Sequence, residues 1–249
     1  MNTKFTVISV VAALLSLIGG FLIANSLNRS EINTLRAENE RLKGGGAGAA
    51  PAAAAAAEQA LSDEEIRQKI AEADRSPTDT AYQRNLGLAL YRYGAMKQNA
   101  ELIGESARLL ERAHAGNPQD YDVTVALGNA FYDVGYFRKD EKSFAKGREY
   151  YRKALAQKPN DADVRTDLGL SYYLTTPPDY EKAAEELARA LEANPKSERA
   201  LQFMTQTLIR QNKPAEAEKY LARLRAINPQ TPSLEQITAQ LAAENKTGQ

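Results

Sequence analysis

Three tyrosines, Tyr91, Tyr132 and Tyr173, stand 41 residues apart in the middle of the chain. A tyrosine offers a large apolar area and a hydroxyl at low entropic cost, which suits it to gripping a peptide. Its neighbours vary in type: Arg92, Asp133 and Leu174 follow it, and Leu88, Asn129 and Leu170 stand three residues before it. A fourth set, Gln206, Ile209 and Arg210, lacks the tyrosine. On helices, these spacings bring the residues to one face. Stacked helices would line that face up into a stripe, with Arg84, Leu88, Tyr91, Arg92, Asn129, Tyr132, Asp133, Leu170, Tyr173 and Arg210 as candidate ligand-binding residues. This reading expects the tyrosines to be partly exposed. It assigns the core to the residues just before them, Leu90, Phe131, Tyr172 and Leu208.

Catalytic chemistry has little to build on. His114 is the single histidine, and the chain has no cysteine to act as nucleophile, thiolate ligand or lipid attachment point. No phosphate-cradling glycine loop and no H-E-x-x-H pair occurs. Asp161 and Asp163 stand at a loop-to-helix junction, where carboxylates cap a helix rather than bind calcium. We expect no enzyme activity, no metal and no cofactor. Lys plus Arg and Asp plus Glu balance at 32 each. The first 43 residues hold five basic and three acidic side chains, so the remainder is near neutral and shows no basic stripe for nucleic acid.

What must position the tyrosines is a repeat. Leu127-Gly128, Ala130-Phe131, Gly135, Tyr151, Ala154-Leu155 and Pro159 recur 41 residues earlier as Leu86-Gly87, Ala89-Leu90, Gly94, Leu110, Ala113 and Pro118. They recur later as Leu168-Gly169, Ser171-Tyr172, Leu187, Ala190-Leu191 and Pro195. A degenerate fourth copy runs through Met204-Thr205, Thr207-Leu208, Ala217, Leu221 and Pro229. Each unit reads as two amphipathic helices, the first with a small residue where its partner comes close and the second ended by proline. One such pair cannot bury its apolar face alone, so the units must stack.

These motifs resemble the tetratricopeptide repeat family over roughly 77–229. The resemblance implies an all-α solenoid of about four helix pairs whose first helices line a concave, ligand-binding face. The aromatic residue that the family places three residues before the Leu is here Gln83, Thr124, Arg165 and Leu201. Repeats one and two also carry extra residues near Gly94–Ser106 and Gly135–Gly147. Family members that clamp a C-terminal carboxylate need an Asn where Leu88 stands, so that clamp is not expected.

Around the array, Ser62 with Glu65 forms a capping box that starts a half-repeat ending near Asp74, with Ile66 and Ile70 on one face. Residues 233–243 cover the other end with Leu234, Ile237 and Leu241. The array with its caps spans 62–246. Before it, residues 44–61 form a Gly/Ala-rich linker. Residues 26–43 predict a juxtamembrane helix whose seam, Ile32, Leu35, Asn39 and Leu42, fits a short parallel coiled coil and a homodimer. Phe5 to Ala24 is an uncharged apolar run of 20 residues, enough to cross a bilayer, and residues 1–25 are read as a single transmembrane anchor. No A-x-A cleavage site follows, which separates it from a signal peptide. Ala12, Ser16, Gly20 and Ala24 line one face with small side chains for close helix packing. Counting basic residues places 29–43 in the cytoplasm. The short N-terminal tail instead matches a signal anchor that exports the rest, and we adopt that orientation. The chain then reads as a bacterial inner-membrane, single-pass protein with its repeats in the periplasm. It would serve as an interaction scaffold for a protein or peptide. Two other readings share the layout: an accessory subunit of c-type cytochrome maturation, and an envelope-assembly factor acting through self-association.

Overall fold

The computed structural model describes the backbone of residues 62–247 and the side chains of residues 62–243. The transmembrane anchor, the coiled-coil seam Ile32, Leu35, Asn39 and Leu42, and the linker all lie outside the described residues. Among the described residues there are ten α-helices and no strand. They are α1 (Asp63–Arg75), α2 (Thr80–Met96), α3 (Ala100–Gly116), α4 (Tyr121–Arg138), α5 (Glu141–Gln157), α6 (Ala162–Tyr173), α7 (Tyr180–Ala193), α8 (Glu198–Arg210), α9 (Pro214–Ile227) and α10 (Ser233–Thr247). None of them is long and apolar enough to cross a membrane.

Local chemistry sets nearly every boundary. Asp79, Asn99, Asp120, Asp140, Asp161, Asp179 and Ser197 each accept a hydrogen bond from a first-turn amide with the side chain. Ser62 and Glu65 close a reciprocal capping box. Asp161 accepts from the amides of Asp163 and Val164, which is the capping role its sequence position predicts. α3, α5, α7 and α9 each end on an Asn or Lys whose amide returns to the helix, and Pro118, Pro159, Pro195 and Pro229 follow directly. Between first and second helices, Gln98, Lys139 and Asn212 take the left-handed conformation with φ near 52–57°. The next residue's amide then reaches back to Gly94, Gly135 or Leu208, closing the last turn.

The extra residues of repeats one and two lengthen the helices themselves. α2, α3, α4 and α5 have 17 or 18 residues, whereas α6 to α9 have 12 to 14. The chain divides into two compact units between Asn117 and Pro118.

The first unit packs α1, α2 and α3 around Ile66, Ala73, Leu90 and Leu109, with Ile70, Tyr82, Leu86, Tyr93 and Leu102 against them. Asp74 of α1 receives Arg108 at 2.5 Å and Arg112 at 2.7 Å, both from α3. Gln83 fills the family's aromatic slot and is fully buried, donating from Nε2 to the carbonyls of Ala73 and Ser76.

The second unit packs α4 to α10 around Leu127, Tyr151, Leu168, Leu187, Leu201, Phe203, Leu221 and Leu224. Its tightest approach is at Gly128, where an added Cβ would stand 2.5 Å from Tyr151 Cδ1. Only a residue without a side chain lets α4 and α5 close over that ring. α8 is buried from Arg199 to Ile209 without interruption. Ile237 and Leu241 of α10 are buried, as expected for a capping helix.

Candidate functional site: the first-helix faces

In the first unit, α2 carries Arg84, Leu88, Tyr91 and Arg92. Arg92 is exposed, Arg84 and Leu88 are half-buried, and Tyr91 is only 3% exposed. In the second unit, α4 carries Asn129, Tyr132 and Asp133, α6 carries Leu170 and Tyr173, and α8 carries Arg210. Of these, Arg210 is exposed and Asn129 and Tyr173 are half-buried. Tyr132, Asp133 and Leu170 are buried at 6%, 1% and 0% exposure.

The expected stripe of partly exposed tyrosines is therefore corrected at Tyr91 and Tyr132. The Tyr132 ring meets Phe144 of α5 edge-on, with centroids 5.6 Å apart and planes at 80°. Phe144 lies in the extra turn that repeats one and two carry. Gly147 lets α5 run close beside it, since a Cβ there would stand 3.1 Å from the Tyr132 amide nitrogen. Ile103, 41 residues before Phe144, is likewise fully buried in the repeat that holds Tyr91. Repeat three has the shorter helices and leaves Tyr173 half-buried, against Tyr180 at 5.5 Å and Phe203 at 5.8 Å. The slot just before each tyrosine, and before Ile209 in the fourth copy, is core at Leu90, Tyr172 and Leu208, while Phe131 is half-buried. In all four copies both candidate slots thus turn inward to some degree.

Sequence reasoning missed a buried ion pair on the same helices. Asp167 of α6 and Arg199 of α8 form a direct salt bridge, with side chains 9% and 8% exposed. The Tyr132 hydroxyl, enclosed and without a hydrogen-bond partner, is electrostatically coupled to both. Burial holds its phenol well above the ordinary value of 10. Burial also pushes the Asp167 carboxyl up, against the pull of Arg199. Nothing in the sequence pairs these charges, which are 32 residues apart and belong to different repeats.

Asn129 accepts a hydrogen bond from the Tyr151 hydroxyl at 2.9 Å, which fixes its amide at the edge of the face. Arg210 donates to Tyr173, and this bond counters the rise that burial imposes on the Tyr173 phenol. The sequence set thus separates into buried members, Tyr91, Tyr132, Asp133 and Leu170, and accessible ones, Arg84, Leu88, Arg92, Asn129, Tyr173 and Arg210. The accessible positions are dominated by arginine and amide groups. Such groups bind carboxylates and peptide backbones but supply no nucleophile or proton relay.

In-phase helix pairs of this kind define a helical-repeat protein. The comparisons make that class specific: two tetratricopeptide repeat families match, over residues 138–198 and 179–241, so tetratricopeptide repeats occupy residues 138–241. No curated protein matches the chain in sequence. Among solved structures, the crystal structure of MamA aligns at 18% identity and TM-score 0.54, covering 67% of this chain and 88% of that one. MamA of AMB-1 aligns at 22% and 0.54, covering 68% and 81%. PilF of Pseudomonas aeruginosa aligns at 24% and 0.53, covering 68% and 71%. At these identities the likeness concerns the fold alone.

Proposed function

We propose that this chain is a non-catalytic scaffold that binds a protein or peptide on the first-helix faces of its repeats and is held at a membrane by residues 1–25. The observation that carries the reading is that accessible Arg92, Asn129 and Arg210 sit on those faces beside a buried aromatic core. Such an arrangement offers polar recognition on a rigid frame. The repeats themselves are consistent with protein binding. The test is a pull-down with the full-length chain from a detergent extract, comparing it with Arg92→Glu and Arg210→Glu. Partners captured by the native chain and lost from either variant support the reading; an unchanged catch from both sinks it.

The anchor and its orientation are part of this proposal and rest on the Phe5–Ala24 run and its flanks. A reporter active only in the periplasm, fused after Lys43, should be active in a bacterial host. Activity from a cytoplasmic reporter alone would reverse the orientation. Crosslinking of the full-length chain through a cysteine at Asn39 tests the homodimer: a crosslinked dimer supports the seam, and its absence in the membrane refutes it.

A further inference from the structure

A second polar feature of unit two lies where α5, α6 and α7 meet, at the core slot Tyr172 rather than at the accessible first-helix positions. Three cations converge there on one ring, Tyr172 of α6. The Arg148 guanidinium carbon stands 4.9 Å from the ring centroid and the Lys182 ammonium 5.5 Å from it. Arg152 donates from Nη2 to the Tyr172 hydroxyl.

Two of the cations already have carboxylates. Arg148 pairs with Glu141 and donates to the Ser171 carbonyl at 3.2 Å, and Lys182 pairs with Asp179 at 2.8 Å. Arg152 differs: its hydrogen-bond partner is a neutral phenol, and among the described residues it forms no ion pair. The cluster thus holds three positive charges against two negative ones. Arg148 and Lys182 also repel each other. Gathering like charges in one place is costly unless an anion completes the set.

Access favours a ligand as well. Arg152 and Lys182 are exposed, whereas Arg148 and Tyr172 are 9% exposed and form a fixed floor. Guanidinium groups present paired N–H donors that match a carboxylate in the plane; the ring backs that of Arg148 and its hydroxyl holds that of Arg152. One excess charge matches one carboxylate rather than a phosphate dianion. A broad anionic surface would also meet Glu141 and Asp179, and is disfavoured.

We infer that Arg148, Arg152 and Lys182, arranged on Tyr172, form a recognition site for a single carboxylate side chain of an acidic peptide segment. This site does not depend on the first-helix faces. It survives if Arg92→Glu and Arg210→Glu leave capture unchanged, so the two readings fail separately.

The experiment titrates fluorescein-labelled hexaglutamate with the purified full-length chain and reads anisotropy at low ionic strength. The expected result is saturable binding, weakened at least roughly fivefold by Arg152→Ala and by Lys182→Ala. Lys219→Ala, an exposed cation elsewhere in the unit, should leave it unchanged. Both test residues are exposed, so the variants should melt like the native chain. Tyr172→Phe keeps the ring, removes the Arg152 anchor and should weaken binding. No binding by the native chain overturns the site. So do equal losses from Arg152→Ala and Lys219→Ala, which would mean unspecific attraction. Displacement of the peptide by inorganic phosphate beyond chloride of matched ionic strength overturns the carboxylate assignment.

Discussion

Tyr132 separates a recognition role from a structural one. In the structure its ring is 6% exposed, packed edge-on against Phe144, with its hydroxyl enclosed and unpartnered. Truncation to Ala removes a buried aromatic ring, which typically costs ~3–5 kcal/mol because the lost transfer free energy adds to a cavity that Phe144 cannot fill. For a unit of this size the melting point should fall by roughly 10–15 °C. Tyr132→Phe keeps the ring and deletes only the hydroxyl. An enclosed donor without a partner carries a desolvation cost of ~1–3 kcal/mol, so the change should be neutral or stabilising. Thermal melts followed by circular dichroism on the native chain and both variants measure the two effects in one series. If Tyr132→Ala melts within ~2 °C of the native chain, the ring lies on an open surface and the burial argument is wrong. If Tyr132→Phe is destabilised by more than ~1 kcal/mol, the hydroxyl has a partner and the enclosed-donor argument is wrong.

Other perturbations follow from the same packing and charges. Gly128→Leu should destabilise the second unit strongly, because a Cβ alone already comes within 2.6 Å of Tyr151 Cε1; an unchanged melting point would show that α4 and α5 do not meet there. Asp74 is held down at about 2 by the Arg108 and Arg112 guanidinium groups. Its folded value lies below its ordinary 3.8, so the stability it contributes is present above that pH and lost as pH falls toward 2. Asp74 is 42% exposed, so Asp74→Asn should cost only ~1 kcal/mol at neutral pH and flatten the acid limb of the stability curve; an unaltered limb refutes the assignment. Arg199→Met should cost ~3–5 kcal/mol by stranding Asp167, and Arg199→Met with Asp167→Leu should restore most of it. A double variant as unstable as the single would show that the pair is not an isolated couple.

The fold was legible because its signals agree with one another. The 41-residue period, the Leu-Gly pair and the closing proline recur in phase, and each has a mechanical reason that holds in the structure. Degeneracy in the fourth repeat also has a reason. α8 is buried from Arg199 to Ile209, so its polar residues Arg199, Gln202, Thr205 and Gln206 lie inside with the apolar ones and the Leu-Gly pair gives way to Met204-Thr205. Its Thr205 and Thr207 return their hydroxyls to the carbonyls of Leu201 and Phe203 and so can sit in the interior. The tyrosine positions were misread because helical spacing fixes an angle on the helix but not what stands opposite. The extra turns of α4 and α5 bring Phe144 against Tyr132. Asp167 and Arg199 were invisible because pairing across repeats leaves no local pattern. The Arg148, Arg152 and Lys182 cluster was invisible for the same reason, with its members on two helices and its ring on a third.

The inward turn of Tyr91 and Tyr132 changes what kind of binding the repeats can support. An exposed tyrosine platform would draw on apolar area, and its complexes would tolerate salt. With those rings in the core, the accessible first-helix positions are chiefly Arg84, Arg92, Asn129 and Arg210. Cations at a rim act mainly on the rate of encounter, and salt screens them within about 10 Å at 0.1 M. Binding carried by these positions should therefore slow in association as salt rises, with a smaller change in dissociation. Surface-bound partner and full-length chain, followed in real time across a salt series, separate the two rates. An association rate indifferent to salt would return the weight of recognition to apolar contacts. Among the accessible residues that would mean Tyr173 and Leu88.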